Sequence, residues 1–338
     1  MLSPKESGEF VVKNAKYIQV KEEGIKNLSN LVYSAIKDGS LSVNNFSQVS
    51  FHPNQNDVKA VDWLFVVDTL NYCFWTPEKN ENKWKVENQT GYFALCAAIN
   101  RAQREGIDIT NASYYSKITL DDVKKIFRGD DDETEVPLIE TRVTSLHEIG
   151  KILLEKYDGT FLNVVKKANN SASELLKLIV QEFPCFRDEA VYQGTKISLY
   201  KRAQILVGDI YACFKGQGLG KFDDINDAIT VFADYRVPMV LVHFGSLEYN
   251  EELMQDLKNN KILIYGEEKE IEIRAATIYI AEKVKELVLQ MIKDENNTEI
   301  STKDINSILI DHFLWDYRRS NAETLSYIPF HKTYSIYY

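Results

Sequence analysis

Hydrophobic positions recur every three or four residues along most of the chain, which is the spacing of amphipathic helices. The clearest runs lie at 143–157 and at 276–292. Other predicted helices begin with a capping pattern, in which a Ser or Thr precedes an acidic residue by three positions. These patterns are Thr119 with Asp122, Ser171 with Glu174, and Ser301 with Asp304. The chain is therefore predicted to be mainly helical.

Strand patterns are few, and the clearest of them indicates a hairpin. Residues 261–265 and 270–274 form two short runs on either side of Gly266, and the second run alternates isoleucines with charged residues. Two such runs joined by a short loop with glycine are typical of a β-hairpin. A further small strand is expected at 83–87. We therefore predict a mainly α fold with minor β structure.

The sequence shows no repeat, no low-complexity linker and only seven prolines, so nothing marks a domain boundary. We expect one compact domain over residues 1–338. The most apolar stretch, 61–75, is interrupted by Asp62, Asp68 and Asn71. Because a membrane span requires ~20 mostly apolar residues, this stretch is expected in the core and no membrane association is predicted.

Composition limits the classes of partner. Hydrophobic residues make up 44% of the chain and charged residues 27%, which is an ordinary globular balance. The formal net charge of −10 opposes binding to a polyanion such as duplex DNA or whole tRNA. A small anion stays compatible with it, since a few local cations suffice for one phosphate. The N-terminus shows no apolar secretory core, so a cytoplasmic or nuclear location is expected.

Metal and cofactor motifs do not stand out. The four cysteines form no CxxC pair, and the histidines have no recognisable ligand spacing. Reduced, buried thiols are the expected state of the cysteines. The glycines at 216–220 do not form a GxGxxG fingerprint after a strand, and they indicate a loop. Neither a metal nor a cofactor is predicted.

The first candidate site is the segment FADYR at 232–236, which has apolar residues on both sides. Its carboxylate, Asp234, is expected to be partly buried and to require a partner, which Arg236 could supply. Pro238 suits the first turn of a helix, so Asp234 is expected in the turn that precedes it. The alternative interpretation is a structural ion pair at that turn.

The second candidate site is the segment DHFLWDY at 311–317. On a helix, Asp311 and Trp315 lie one turn apart on the same face, whereas Asp311 and Asp316 do not share a face unless the helix ends or distorts. An aromatic ring beside carboxylates offers a stacking surface and acceptors to a flat base with N–H donors. Tyr317 is assigned to the same site. The alternative is a packed helix end with solvated acids.

Two further candidates are a pair of cations and a histidine. Lys201 and Arg202 are adjacent, and such a pair can bind a phosphate or lie on a solvated helix face. His52 precedes Pro53, which places it in an extended or turn segment. Either a ligand contact or a surface or capping role is open for this histidine.

Several segments together resemble the queuosine-salvage protein family, the queuosine 5′-phosphate N-glycosidases. They lie along almost the whole chain and include VDWLFVVDTLNYCFW (61–75), YKRAQILVGDIYA (200–212), VFADYRVPMVLVHFG (231–245), INSILIDHFLWDY (305–317) and IPFHKTYSIYY (328–338). The resemblance implies a fold similar to helical DNA glycosylases and a cofactor-free enzyme. It also implies a free mononucleotide substrate, queuosine 5′-phosphate, from which queuine is released. The oligomeric state is left open.

The resemblance further implies roles for individual residues. Asp234 is implied as the catalytic carboxylate, which stabilises or traps the positive charge that develops on the ribose. The residues implied at the base site are His52, Phe232, Asp311, Trp315 and Asp316. Queuine is a 7-deazaguanine with a cationic secondary amine, so an acidic base pocket is chemically suitable. Lys201, Arg202 or Arg236 is expected to bind the phosphate.

Three other functions are compatible with parts of this pattern. A nucleic-acid glycosylase would share the carboxylate, but the acidic charge opposes it. A non-catalytic queuine-binding protein would bind the base without releasing ribose 5-phosphate. A metal-dependent hydrolase would lose its activity in a chelator.

Overall fold

The computed structural model describes residues 1–42, 51–54, 57–77, 83–131, 133–295 and 300–338. These residues form a mainly α fold with small two-stranded sheets, which confirms the predicted fold class. The likeness to helical DNA glycosylases stays a prediction. Across the described ranges, none of the helices combines the length and the apolarity that crossing a membrane requires.

The helices follow one another along the chain with short connections. They are α1 (Pro4–Lys13), α2 (Glu22–Lys37), α3 (Ala60–Leu70), α4 (Gly91–Arg104), α5 (Ala112–Tyr115), α6 (Leu120–Ile126), α7 (Ile139–Lys156), α8 (Leu162–Lys167), α9 (Ala172–Glu182), α10 (Lys201–Cys213), α11 (Ile225–Ala228), α12 (Val237–His243), α13 (Glu251–Lys258), α14 (Glu268–Asp294) and α15 (Ser307–Ser320).

The strands are short and antiparallel. They are β1 (Ile18–Val20), β2 (Lys85–Val86), β3 (Gln89–Thr90), β4 (Glu189–Tyr192), β5 (Thr195–Ser198) and β6 (Leu247–Tyr249). β1 pairs with β6, with Ile18 opposite Tyr249, while β2–β3 and β4–β5 are local hairpins. The predicted strand at 83–87 is therefore confirmed as β2.

The chain divides into two compact units, each assembled from separate stretches of sequence. Unit 1 consists of Met1–Asn45, Asp188–Gln204 and Ile225–Tyr334, and unit 2 consists of Phe46–Arg187, Ile205–Asp224 and Ser335–Tyr338. Because the stretches of the two units alternate along the sequence, no single linker separates them. The expectation of one domain over 1–338 stays a prediction.

Unit 1 is built around α14, which is buried over most of its length. Its buried charges are paired. The Arg274 guanidinium bonds to Asp188 and Glu270, and the Glu272 carboxylate accepts the backbone N–H of Tyr17 at 2.7 Å. Such pairing offsets the cost of removing charges from water. α2 approaches the chain at Gly245 so closely that a Cβ on Gly24 would lie 2.2 Å from its carbonyl carbon.

Unit 2 contains α3, whose buried residues come from the stretch 61–75, as expected for a core element. The Phe65 ring stacks on Phe161 with centroids 4.1 Å apart and meets Phe183 edge to face. The buried Arg142 donates hydrogen bonds to the carbonyl oxygens of Leu70 at 2.5 Å and Tyr72 at 2.7 Å. These bonds satisfy carbonyls at the end of α3 that have no partner within the helix.

Other predictions about the elements had mixed outcomes. Thr119 and Ser171 cap α6 and α9, and α7 covers the predicted 143–157 helix. The cap predicted at Ser301 is wrong, because residues 302–304 form a short 3-10 turn and Asn306 caps α15 instead.

The predicted hairpin at 261–265 and 270–274 is also wrong. Residues 270–274 belong to α14, where Ile271 and Ile273 are buried together with the three charged residues between and beside them. An alternation of apolar and charged residues indicates a strand only when one face meets water. Here both sets are buried, so the alternation carries no information about the backbone.

Candidate active site

Asp234 lies in the turn immediately before α12, as predicted, with Pro238 in the first turn of the helix. Its Oδ1 atom accepts hydrogen bonds from the backbone N–H groups of Arg236 at 2.8 Å and Val237 at 2.7 Å. The residue is half-buried. Within the described part of the chain, no donor bonds to Oδ2. One carboxylate oxygen is therefore fixed, and the other is available to a ligand.

The expected ion pair between Asp234 and the Arg236 side chain is not the arrangement found. Only the backbone N–H of Arg236 bonds to the carboxylate. The Arg236 guanidinium carbon lies 4.0 Å from the ring centre of Phe330 and 5.0 Å from that of Tyr235. Two backbone donors hold the carboxylate more rigidly than a flexible arginine would, and they leave the guanidinium free of this carboxylate.

The two residues before Asp234 are held by buried charged side chains. The backbone N–H of Phe232 donates to Asp311 Oδ1 at 2.9 Å, and Asp311 is buried in α15. The Nε–H of Arg274 donates to the carbonyl oxygen of Ala233 at 3.0 Å. The FADYR and DHFLWDY segments are thus brought together, and the turn that carries Asp234 is fixed on both sides of its backbone.

Arg274 is itself held by two acids. Its guanidinium bonds to Asp188 Oδ1 at 2.9 Å and to Glu270 Oε1 at 3.1 Å, and all three side chains are buried. Asp188 also accepts the backbone N–H of Lys201 at 3.1 Å. Sequence reasoning missed both Arg274 and Asp188. Arg274 lay in the wrongly predicted hairpin, where its charge indicated a solvent-facing position.

His331 is a second buried group in unit 1 that sequence reasoning did not assign to the site. Its side chain is inaccessible to solvent. Burial, with a smaller effect of the Arg274 charge, lowers the pKa of this histidine to about 3. The ring is therefore neutral at physiological pH. The only sequence signal was its place in the PFH tail of the family resemblance.

The acids of α15 have different surroundings. The helix runs without interruption to Ser320, so Asp311 and Asp316 do not share a face. Asp311 is buried, whereas Asp316 is exposed. Partial desolvation raises the pKa of Asp316, and the positive charge of Arg319 opposes that rise. Asp311 therefore supports the Asp234 turn, and Asp316 is the acid of this helix that a soluble ligand reaches.

Two aromatic residues of α15 are half-buried. The Arg319 guanidinium carbon lies 4.8 Å from the ring centre of Trp315. The Tyr317 hydroxyl lies 3.4 Å from His243 Nε2, and its ring packs 4.9 Å from that of Phe244. Tyr317 is thereby connected to the end of α12, the helix that starts beside Asp234.

A group of cations, Arg236, Arg318 and Lys332, lies close to Asp234. Lys332 Nζ lies 5.3 Å from the ring centre of Phe330, the ring that also carries Arg236. Burial and then the Arg236 charge lower the pKa of Arg318 and that of Lys332. Arg318 Nε is buried and, among the described residues, has no hydrogen-bond partner. These cations repel one another, which an anion would relieve.

Lys201 and Arg202 open α10, and both side chains are buried. The alternative that they lie on a solvated helix face is therefore wrong. Their role in phosphate binding stays a prediction.

His52 belongs to unit 2 and is described there by itself. Its Nε2 atom lies 2.7 Å from the Tyr92 hydroxyl, and its ring meets Trp63 edge to face. Burial lowers the pKa of His52 to about 4. The residue lines a cavity of about 740 Å³, together with Trp63, Asn100 and the acids Asp62 and Asp108. The position suits a ligand contact, which stays a prediction.

Metal-ligating groups were compared across the described ranges. There, no three His, Cys, Asp or Glu side chains are grouped so that they could hold a metal ion. All four cysteines are buried free thiols, as predicted.

The amino-acid sequence matches the family model of the queuosine salvage protein over residues 51–338. It is 44% identical to a Bos taurus protein named queuosine 5′-phosphate N-glycosylase/hydrolase, over 100% of this chain and 99% of that protein. Proteins with the same name from Mus musculus and Schizosaccharomyces pombe are 42% and 34% identical, over 100% and 98% of this chain and 99% of each relative. The chain therefore belongs to the queuosine salvage protein family.

Proposed function

We propose that this protein hydrolyses the N-glycosidic bond of queuosine 5′-phosphate and releases queuine and ribose 5-phosphate. The names of its full-length relatives support this substrate. The structural observation that carries the proposal is the Asp234 carboxylate, which has one oxygen held by two backbone donors and the other open to a ligand.

The chemistry requires stabilisation of a cationic ribose. As the bond between C1′ and the base nitrogen breaks, its electron pair leaves with the base and positive charge develops on the sugar. Asp234 Oδ2 stabilises that charge or bonds to C1′ transiently. One water molecule then supplies the hydroxyl group of C1′ and the proton that the departing base takes up. Asp311 and Arg274 act as positioning residues, because they hold the backbone of residues 232 and 233.

The phosphate and the base require opposite charges. We assign the phosphate to Arg236, Arg318 and Lys332, since a dianion would receive charge-assisted hydrogen bonds from all of them. Lys201 and Arg202 are the second assignment. The base is assigned to the aromatic surfaces of Phe232, Trp315 and Tyr317, with the exposed Asp316 carboxylate facing the cationic amine of queuine. His52 is assigned a contact with the base.

The net charge of −10 favours a free nucleotide over tRNA as the substrate. A protein that acts on a free nucleotide needs no polymer partner, and we propose a cytoplasmic or nuclear location. Neither a metal nor a cofactor is required for the proposed steps.

The proposal is tested by incubating the purified protein with queuosine 5′-phosphate in EDTA and measuring free queuine and ribose 5-phosphate. Equal amounts of both products are expected. Binding of queuine without either product would indicate a queuine-binding protein. Loss of activity in EDTA that zinc or magnesium restores would indicate a metal-dependent hydrolase. Release of queuine from tRNA, but not from the mononucleotide, would indicate a nucleic-acid glycosylase.

A further inference from the structure

A chain of three hydrogen-bonded side chains in unit 2 takes no part in the proposed reaction steps. Tyr92, in the first turn of α4, places its hydroxyl oxygen 2.7 Å from His52 Nε2 and 3.3 Å from Asp209 Oδ2 in α10. The His52 ring also meets the Tyr92 ring edge to face, at 5.9 Å between centroids. The order Asp209–Tyr92–His52 therefore connects an acid to a histidine that borders the cavity.

The two hydrogen bonds of Tyr92 are linked, because a phenol has a single hydroxyl proton. If Tyr92 donates that proton to ionised Asp209, its oxygen can only accept from His52, so Nε2 carries the imidazole proton. Nδ1 is then an acceptor. If Asp209 is protonated and donates to Tyr92, then Tyr92 donates to Nε2. The imidazole proton must in that case lie on Nδ1, which becomes a donor.

We propose that Tyr92 and Asp209 are positioning residues that decide which nitrogen of His52 carries the proton. With Asp209 ionised, His52 offers Nδ1 as an acceptor to its ligand, and with Asp209 protonated it offers a donor. The tautomer switch stands on the geometry of unit 2 alone. The identity of the ligand, a base with guanine-like N–H donors, rests on the proposed function.

The charged surroundings allow both states near neutral pH. Burial raises the pKa of Asp209 to about 7, and the hydrogen bond from Tyr92 opposes that rise. The titratable groups that face this chain are Asp68 of α3, Cys96 of α4 and Cys213 of α10. Burial raises the pKa of both thiols, so both stay neutral in this range. Asp68 accepts a hydrogen bond from Asn71 at 3.3 Å.

His52 itself does not gain a charge in the same interval, because burial lowers its pKa to about 4. The switch is therefore between two neutral tautomers. Its sign follows from the acid. Above about pH 7 Asp209 is ionised and Nδ1 accepts, whereas below it Asp209 is protonated and Nδ1 donates.

The switch is tested in the free protein by ¹⁵N NMR of the histidine side chains between pH 5.5 and 8.5 (about the range around the Asp209 pKa). The His52 signals are identified by their loss in His52→Gln. In the wild type, Nδ1 is expected to change from a protonated to an unprotonated nitrogen as the pH rises, while Nε2 changes in the opposite sense. An unchanged His52 tautomer over this range would overturn the proposal.

Three variants separate the switch from a general structural effect. Tyr92→Phe keeps the ring but removes the hydroxyl, and the pH-dependent change is expected to vanish. Asp209→Asn cannot ionise, so the change is also expected to vanish. Tyr157→Phe is the matched control, because the buried Tyr157 hydroxyl has no hydrogen-bond partner among the described residues. A tautomer change that persists in Asp209→Asn would show that another group drives it.

The ligand is tested separately, with queuine as the probe. Loss of one hydrogen bond corresponds to roughly a tenfold change in Kd. Queuine is therefore expected to bind about tenfold more tightly at pH 8 than at pH 6 in the wild type, and equally at both in Tyr92→Phe. Because the NMR measurement needs no substrate, it tests the switch even if the glycosidase proposal fails. A tautomer change without any change in queuine affinity would overturn the ligand assignment.

Discussion

The Asp311 carboxylate in α15 accepts the backbone N–H of Phe232 at 2.9 Å, two residues before Asp234. An acid that the family resemblance places at the base site is therefore a support for the segment that carries the proposed catalytic carboxylate. On the other side of that segment, Arg274 holds the carbonyl of Ala233. A carboxylate fixed in this way can stabilise developing charge without first reorganising.

Removal of the Asp311 acceptor is expected to lower both stability and turnover. In Asp311→Ala the buried N–H of Phe232 loses this partner, which costs about 1–3 kcal/mol of unfolding free energy. Looser positioning of Asp234 is expected to lower kcat by about tenfold to a hundredfold. Urea unfolding and steady-state kinetics measure the two effects. Asp311→Asn retains an acceptor oxygen and should recover most of both, whereas full kcat in the alanine variant would show that the contact does not position Asp234.

Loss of the Arg274 charge is expected to destabilise unit 1. Arg274→Met keeps much of the side-chain length but leaves Asp188 and Glu270 buried without their shared cation. Breaking a buried ion pair in this way costs about 3–5 kcal/mol. Thermal and urea unfolding should show that loss, and Arg274→Lys should restore part of it. If the methionine variant unfolds at the wild-type urea concentration, the network does not hold the turn together.

The cations around Phe330 are expected to recognise the phosphate and not the base. Arg318→Gln and Lys332→Met should each raise KM for queuosine 5′-phosphate by about tenfold or more, since a charge-assisted hydrogen bond contributes about 1.5–3 kcal/mol. Activity on the nucleoside queuosine should change little. Lys258→Met, at an exposed lysine of the same unit, is the control. An equal loss on both substrates would show that these residues do not read the phosphate.

The buried His331 predicts a specific pH dependence of stability. Its folded pKa of about 3 lies below the value of 6.5 for an exposed histidine. The unfolded chain therefore binds a proton that the folded chain excludes. The contribution to stability is complete above about pH 6.5 and is lost progressively as the pH falls toward 3, at about 1.4 kcal/mol per pH unit.

Urea unfolding of the wild type and His331→Gln at pH 7, 6 and 5 (about the range that spans this loss) measures that contribution. The wild type should lose stability more steeply than the variant over this interval. Parallel loss in both proteins would mean that His331 is protonated in the folded state.

The sequence predicted the turn that carries Asp234 because Pro238 and the flanking apolar residues act locally. It predicted the wrong partner for Asp234, since backbone donors and an arginine two residues away cannot be distinguished from composition. Arg274 was missed for another reason. Its burial depends on Asp188, which is distant along the chain, and no local pattern records such a pairing. The Asp209–Tyr92–His52 chain is likewise formed only by tertiary packing.

The most direct test of the proposed role of Asp234 is a single-turnover experiment with queuosine 5′-phosphate and excess enzyme, with queuine followed by chromatography. Asp234→Asn keeps the backbone acceptor but removes the charge, and Asp227→Asn, at an exposed acid of the same unit, serves as the control. We expect queuine release by the wild type and the control, and loss of about a thousandfold or more in Asp234→Asn, with queuine affinity retained. Release by Asp234→Asn at the wild-type rate would contradict the catalytic role of this carboxylate.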